Sequence, residues 1–207
     1  RHEVDAEHGK TLSMEGMIEE VKLMKQFNIN AVRTSHHPND PRFYDICDKY
    51  GLYVMNEVLE SHDTFMGLEA IPGSDPAWLP SVLDRATAVV HRDKNHPSIF
   101  SWSLGNESGI GTNFAIMSDL IRRTDPTRLI SYDGREAFRH MPKDTYDMNS
   151  SMYPHIRELK EGEGHVGILN YWKKPINDKP YIIVEYAHAK GNALGNFKEY
   201  WEMMDKY

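Results

Sequence analysis

Ile99-Phe-Ser-Trp-Ser-Leu-Gly-Asn-Glu-Ser-Gly-Ile-Gly111 is the stretch from which the fold can be argued. Ile99 to Leu104 is rich in apolar and aromatic residues and is set off by Asn95-His96-Pro97 before it and Gly105 after it, the pattern of a buried strand. Asn106 and Glu107 sit where that strand should end, and Gly109 and Gly111 let the chain turn away. A carboxylate at the tip of a buried strand is partly desolvated, which raises its proton affinity toward the range used in general acid catalysis. The plainer role for a single Asn-Glu pair is to cap the segment that follows. A second tip of the same kind argues against it: Tyr181-Ile-Ile-Val-Glu185 is another apolar run that ends in a glutamate, followed by Tyr186, His188, Gly191 and Asn192.

Outward from these two tips, helix and strand patterns alternate. Ser13 is placed as an N-cap for a helix in which Met14, Met17, Ile18, Val21 and Met24 recur at helical spacing, and Asn30 to Arg33 follows as a short strand. Asp40-Pro41 opens the next helix, with Phe43, Ile46, Cys47 and Tyr50 on its inner face and Gly51 as its stop, ahead of a strand from Leu52 to Met55. Asp75 to His91 carries Leu79, Val82, Ala86, Val89 and Val90 on one side and leads into the strand at Ile99. Phe114, Met117, Leu120 and Ile121 mark a helix. Strands are expected at Leu129 to Tyr132, near Tyr146 to Met148 and at Tyr181 to Val184, and a last helix from near Asn192.

The chain has 207 residues, 40% of them apolar, and a net charge of -7. That is enough material for one sizeable core, and the length favours a single domain. The acidic balance, with lysines and arginines scattered rather than clustered, argues against a nucleic-acid partner. No apolar run approaches the about 18 residues of a membrane span, so no membrane association is expected. Cys47 is the only cysteine and reads as a core residue, which excludes an intrachain disulfide. The chain starts at Arg1 and stops at Tyr207 inside a helical pattern, so both ends are expected to be cut from a longer protein.

Strands alternating with helices indicate an α/β fold with a parallel sheet. A doubly wound sheet and a (β/α)8 TIM barrel both fit. Polar residues gather after nearly every strand: Arg33 and His36; Glu57, Glu60 and His62; Asn106 and Glu107; Asp133; Tyr153; Glu185 and His188. A barrel collects such strand ends into one ring around one pocket, whereas an open sheet spreads them along an edge. The glycines at 105, 109 and 111 fit neither nucleotide-binding fingerprint. The barrel is therefore the expected fold.

Two glutamates facing each other over a substrate, one protonated and one ionised, are what cleavage of a glycosidic bond requires. A gap of roughly 5 Å between them gives retention through a covalent intermediate, and roughly 6.5–9.5 Å gives inversion. Sequence spacing leaves the two open. Glu60-Ser61-His62 offers two metal ligands at i and i+2, and an oxygen-rich set with water suits Mg²⁺; the alternative is a surface loop. There is no G-x-S-x-G elbow, and Cys47 is badly placed as a nucleophile.

Three longer segments carry a family resemblance. Asn30-Ala-Val-Arg-Thr-Ser-His-His-Pro-Asn39, Asp93-Lys-Asn-His-Pro-Ser-Ile-Phe-Ser-Trp-Ser-Leu-Gly-Asn-Glu107 and Ile183-Val-Glu-Tyr-Ala-His-Ala-Lys-Gly-Asn192 resemble the signatures of glycoside hydrolase family 2, most closely its large bacterial beta-galactosidases. The resemblance covers nearly the whole chain, from Arg1-His2-Glu3 at the tip of a first barrel strand to the helix after a seventh. It implies part of the catalytic barrel of a multidomain, homo-oligomeric enzyme with the eighth strand missing. It implies hydrolysis of terminal beta-D-galactosides, a small carbohydrate substrate, with retention of configuration. By match to the motifs, Glu107 is the general acid/base and Glu185 the nucleophile. Asn106 is implied to bond the sugar 2-hydroxyl, Arg33 to orient the nucleophile and Tyr153 to sit beside it, with His2, His36 and His188 contacting the sugar. Glu60, His62 and Glu107 are the implied Mg²⁺ ligands; a Na⁺ site has no ligands identifiable in this sequence.

The chain departs from the family pattern at His37, where tyrosine is usual, in a segment Asn56 to Asp63 that is one residue shorter than usual, and at Lys190, where an apolar residue is usual. Beta-glucuronidase or beta-mannosidase activity, and a non-catalytic carbohydrate-binding barrel, are the alternative readings.

Overall fold

Ser13, Asp40 and Asp75 each place a side-chain oxygen on the unpaired N–H groups of a helical start. The Ser13 hydroxyl accepts from Gly16 N at 3.0 Å at the head of α1, Met14–Gln26. Asp40 accepts from Arg42 N at 2.9 Å at the head of α2, Pro41–Tyr50, which Gly51 closes with a left-handed φ of 71° that costs glycine least. Asp75 accepts from Ala77 N at 2.9 Å and starts the 3-10 turn Pro76–Trp78, which runs on into α3, Leu79–Asp93. The computed structural model describes residues 1–61, 72–134, 141–156, 159, 179–189, 191–192 and 194–206, and these divide into two units, Arg1–Tyr146 and Asp147–Tyr207.

In the first unit, β1 (Ala31–Arg33), β2 (Tyr53–Glu57), β3 (Ile99–Asn106) and β4 (Leu129–Asp133) form one parallel sheet in that order, joined through α2, α3 and α4 (Thr112–Thr124). Sheet residues Val54, Trp102, Leu104 and Ile130 pack with helix residues Met17, Val21, Phe43, Cys47, Val82, Ala86, Phe114, Met117 and Ile121 in one buried cluster. Cys47 lies in that core as expected, and burial pushes its thiol up to about 12. The strands run further than the apolar pattern predicts: β2 and β3 end at Glu57 and Asn106, each two residues beyond the expected ends at Met55 and Leu104.

Asp125, at the end of α4, is a buried clamp. It accepts from Trp102 Nε1 at 2.9 Å, Thr127 Oγ1 at 2.6 Å and Arg128 Nη1 at 2.6 Å. Burial pushes this carboxyl up, but those donors outweigh it and hold the group at about 2, below its ordinary 3.8. A depressed carboxylate contributes stability that is present above the unfolded pKa and is lost as pH falls through the folded one. Asp125 should therefore stabilise the fold by about 2 kcal/mol at neutral pH, with the contribution disappearing between about pH 4 and pH 2. Asp125→Asn should lower Tm at pH 7 and flatten the acid limb of a Tm-against-pH curve in that window; an acid limb as steep as the wild type's would assign the acid sensitivity to other groups.

In the second unit, β5 (Asn149–Met152) and β6 (Tyr181–Glu185) are parallel neighbours, and α5 (Phe197–Met204) follows. Tyr200 and Met203 of α5 are buried with Leu159, and the Tyr200 hydroxyl donates to Pro154 O at 2.5 Å. β5 lies three residues beyond the start expected from Tyr146. Tyr146 and Met148 are buried but precede the strand, whose own residues Asn149, Ser150 and Ser151 carry no apolar signal; pairing with β6 places it. The last helix starts at Phe197 rather than near Asn192 because Gly195 and Asn196 adopt left-handed φ values of 45° and 55°, outside the helical region. Among the described residues no helix is long and apolar enough to cross a membrane.

Candidate active site

The register of the sheet puts the polar residues of the first unit on one surface. Arg33 is paired with Met55, so Glu57, two residues further along β2, projects on the same face as Arg33; Glu57 is paired with Ser103 of β3. The result is a buried carboxylate with four donors. Arg33 Nε donates to Glu57 Oε2 at 2.9 Å and Arg33 Nη2 to Oε1 at 3.0 Å, while Ser103 Oγ donates to Oε2 at 2.7 Å. The fourth is His36 Nδ1, 2.8 Å from Oε1. A carboxylate paired with a guanidinium only accepts, so Nδ1 carries the His36 proton, and Nε2, 3.7 Å from Glu60 Oε1, is the other face of the ring.

The backbone of Glu57 is held from behind. Its N–H donates to Thr34 Oγ1 at 2.9 Å, and Thr34 and the Tyr44 hydroxyl both donate to Asn56 Oδ1, at 3.3 and 2.8 Å. Asn56 Nδ2 in turn donates to the buried Asp93 at 2.8 Å. Alternation along β2 thus sends Asn56 to the helices and Glu57 to the site.

Asn106 reaches this site through a bulge. From Ser103 to Asn106 β3 advances three residues while its partner β4 advances from Ser131 to Asp133, so one extra residue is accommodated and Asn106 returns to the face of Ser103. Gly105 lies in the bulge, where a β-carbon would meet Leu59 O at 3.0 Å. Asn106 Oδ1 accepts from Arg33 Nη2 at 2.7 Å and Nδ2 donates to Glu60 Oε1 at 3.0 Å, so the orientation of its amide is fixed from both ends. A parallel bridge between Glu60 and Asn106 joins the loop after β2 to the tip of β3. Glu107 follows with a left-handed φ of 45°, and its N–H donates to Asp133 O at 2.9 Å. A non-glycine residue in that region stores strain of about 1–3 kcal/mol, which is common at functional sites.

In the second unit Glu185 ends β6. The Tyr153 hydroxyl donates to Glu185 Oε2, and Tyr153 N donates to Glu185 O at 2.7 Å. Tyr153 (φ 48°) and Ala187 (φ 51°) are also left-handed, which turns the chain at both strand ends, and the Tyr153 and His188 rings lie 5.4 Å apart. A hydrogen bond to a carboxylate favours its charged form.

The expected site residues therefore fall into two sets. His2, Arg33, His36, Glu60, Asn106 and Glu107 belong to the first unit, with the His2 ring edge-on to His36 at 5.6 Å, and Tyr153, Glu185 and His188 belong to the second. His62 lies outside the described residues. Glu60 and Glu107 follow β2 and β3, and a bridge from Glu60 to Asn106 joins their segments; carboxylates are hard oxygen ligands of the type that suits Mg²⁺. Sequence reasoning missed Glu57 and Ser103 as site residues. Glu57 was visible only as one of several polar residues after a strand; the period-two alternation that sets it beside Arg33 could have singled it out once the register was known.

All of residues 1–207 match the family described as "Glycosyl hydrolases family 2, TIM barrel domain". The chain is 45% identical over 214 residues to a beta-galactosidase of Priestia megaterium, covering 100% of this chain and 20% of that protein. It is 42% identical over 214 residues to a beta-galactosidase of Clostridium acetobutylicum, covering 100% and 22%. The chain thus spans about a fifth of the length of these curated relatives. Among solved structures, a beta-glucuronidase from an uncultured Clostridium sp. matches with a TM-score of 0.80 at 20% identity, covering 100% of this chain and 40% of that one, a likeness of fold.

Proposed function

The chain belongs to glycosyl hydrolase family 2, as part of its TIM barrel domain, and on that premise we propose that the full-length protein is a retaining glycosidase that removes terminal beta-D-galactosyl groups. Glu185 attacks the anomeric carbon and forms a glycosyl ester, while Glu107 gives its proton to the leaving oxygen; water then attacks the same anomeric carbon, breaking its bond to Glu185 and freeing that carboxylate, as Glu107 takes the water's proton. The observation that most supports this division is the Tyr153 hydroxyl on Glu185 Oε2, a donor aimed at the carboxylate that has to be ionised.

The remaining roles follow from donor counts. One Asn106 N–H is used by Glu60, and the amide's second N–H is the donor for the sugar 2-hydroxyl. Arg33 brings its positive charge to the tip of β1, with Glu57 and Asn106 fixing its plane. His2, His36 and His188 supply hydrogen-bonding rings around the sugar. Glu60, His62 and Glu107 would hold Mg²⁺, whose charge would stabilise negative charge beside the acid/base. The galactosyl preference is supported by the beta-galactosidase names of the relatives.

One experiment tests the reading. The full-length protein, assayed against nitrophenyl beta-galactoside, glucuronide and mannoside, should prefer the galactoside and release beta-galactose first by proton NMR. Chelation should lower that rate. Preference for the glucuronide or mannoside would replace the substrate, alpha-galactose as first product would replace the mechanism, and an unchanged rate with metal shown to be absent would remove Mg²⁺.

A further inference from the structure

Ser108 follows Glu107 between β3 and α4 and has no part in the roles assigned above. It is fully buried, and its hydroxyl is used twice. Ser108 Oγ donates to Asn106 O at 2.8 Å and accepts from Ser61 N at 2.9 Å. The first bond runs from residue 108 back to the carbonyl of residue 106, so it closes a ring around the whole backbone of Glu107. The second reaches the residue next to Glu60 on the segment after β2.

A second hydroxyl completes the frame. Tyr132 precedes Asp133 at the end of β4 and, by alternation, faces the helices. There it is 2% exposed, with its ring 4.6 Å from that of Phe114 in α4. Its hydroxyl donates to Gly109 O, since a carbonyl only accepts, and takes the N–H of Ser108 at 3.2 Å. Glu107 N donates to Asp133 O at 2.9 Å. The chain around Glu107 is thus bonded at Asn106 O, Glu107 N, Ser108 N and Gly109 O, and all of these except Glu107 N are held by the Ser108 or Tyr132 hydroxyl.

Glu107 needs such a frame. A glutamate with a φ of 45° keeps that conformation only while its surroundings impose it. A proton donor in turn has to be held within hydrogen-bond reach of the leaving oxygen, to within about 0.5 Å. We infer that Ser108 and Tyr132 are positioning residues for the acid/base: their hydroxyls hold the backbone of Glu107 in its left-handed turn, and Ser108 ties that turn to the segment that carries Glu60. Both are buried, so they act through Glu107 rather than on the sugar. The inference rests on the reading of Glu107 as the acid/base.

Ser108→Ala and Tyr132→Phe each remove one hydroxyl and add no atom, and the test follows kcat/KM across aryl beta-galactosides in the full-length protein. Departure of dinitrophenolate needs little help from a proton, whereas departure of phenolate needs it in the transition state. Each variant should lower kcat/KM for the phenyl galactoside by about tenfold more than for the dinitrophenyl galactoside, the rate equivalent of about one neutral hydrogen bond. The double variant should lose less than the product of the two single losses, because both hydroxyls restrain one backbone segment. The assays belong at a temperature where circular dichroism shows the variants folded, and Tyr132→Phe carries the test by itself if the serine variant does not fold. A uniform loss across the series, or no loss, would overturn the positioning role while leaving the glycosidase reading intact, and losses that multiply in the double variant would overturn the shared frame. Glu107→Gln on the same series separates the two levels: if its own loss does not depend on the leaving group, the acid/base reading falls and the positioning role falls with it.

Discussion

Glu185→Ala in the full-length protein should lower kcat for beta-galactosides by on the order of 10⁴-fold or more, because it removes the atom that bonds to the sugar rather than a group that assists. Azide should restore part of the rate, since a small anion can enter the space of the lost carboxylate. The product should then be alpha-galactosyl azide, formed by a single inversion at the anomeric carbon. The Glu107→Ala variant should behave in the opposite way. It should retain the fast first step on substrates with activated leaving groups, and azide should attack its glycosyl ester to give beta-galactosyl azide. A beta-azide from the Glu185 variant and an alpha-azide from the Glu107 variant would exchange the two assignments. Inactivation of the unaltered enzyme with a 2-deoxy-2-fluoro galactoside, followed by peptide mapping, should place the sugar on Glu185.

The second large effect concerns a residue with no assigned contact to substrate. Glu57 is fully buried against Arg33, and the Arg33 side chain is itself only 8% exposed. Removing one partner of a buried ion pair leaves the other charge unmatched and costs about 3–5 kcal/mol. Glu57→Gln should fall in that range, since the new amide N–H groups would face the donors of Arg33, Ser103 or His36. Arg33→Met should be similarly damaging. The double variant should be less destabilised than the sum of the two, because it leaves no orphaned charge behind. Denaturant unfolding of all four proteins measures this, and additive losses would mean that the pair is not coupled. Activity carries the further consequence. Glu57 fixes which His36 nitrogen bears the proton and the plane of Arg33, so Glu57→Gln should lower kcat even at temperatures where the variant is fully folded. A folded variant with unaltered kcat would confine Glu57 to stability.

The sequence by itself was enough for the order of strands and helices, for the caps at Ser13, Asp40 and Gly51, and for the family. These are local or linear properties: hydrophobic period, side chains that satisfy the first N–H groups of a helix, and uninterrupted motifs such as Ser101-Trp-Ser-Leu-Gly-Asn-Glu107. It also picked out Arg33, His36, Asn106 and Tyr153, because polar residues at the ends of apolar runs stand out against them. Tertiary structure alone decided how those residues are held. The extra residue in β3 that returns Asn106 to the face of Ser103 exists only relative to β4, and nothing in the apolar run marks it. The left-handed turns at Glu107 and Tyr153 fall on residues that favour that conformation little, so the chain around them imposes it. Glu57 shows the difference most clearly. In the sequence it is one acidic residue among several after a strand, and it becomes the centre of the site only because parallel pairing sets Arg33 and Ser103 on its own face, where burial requires every one of its lone pairs to find a donor.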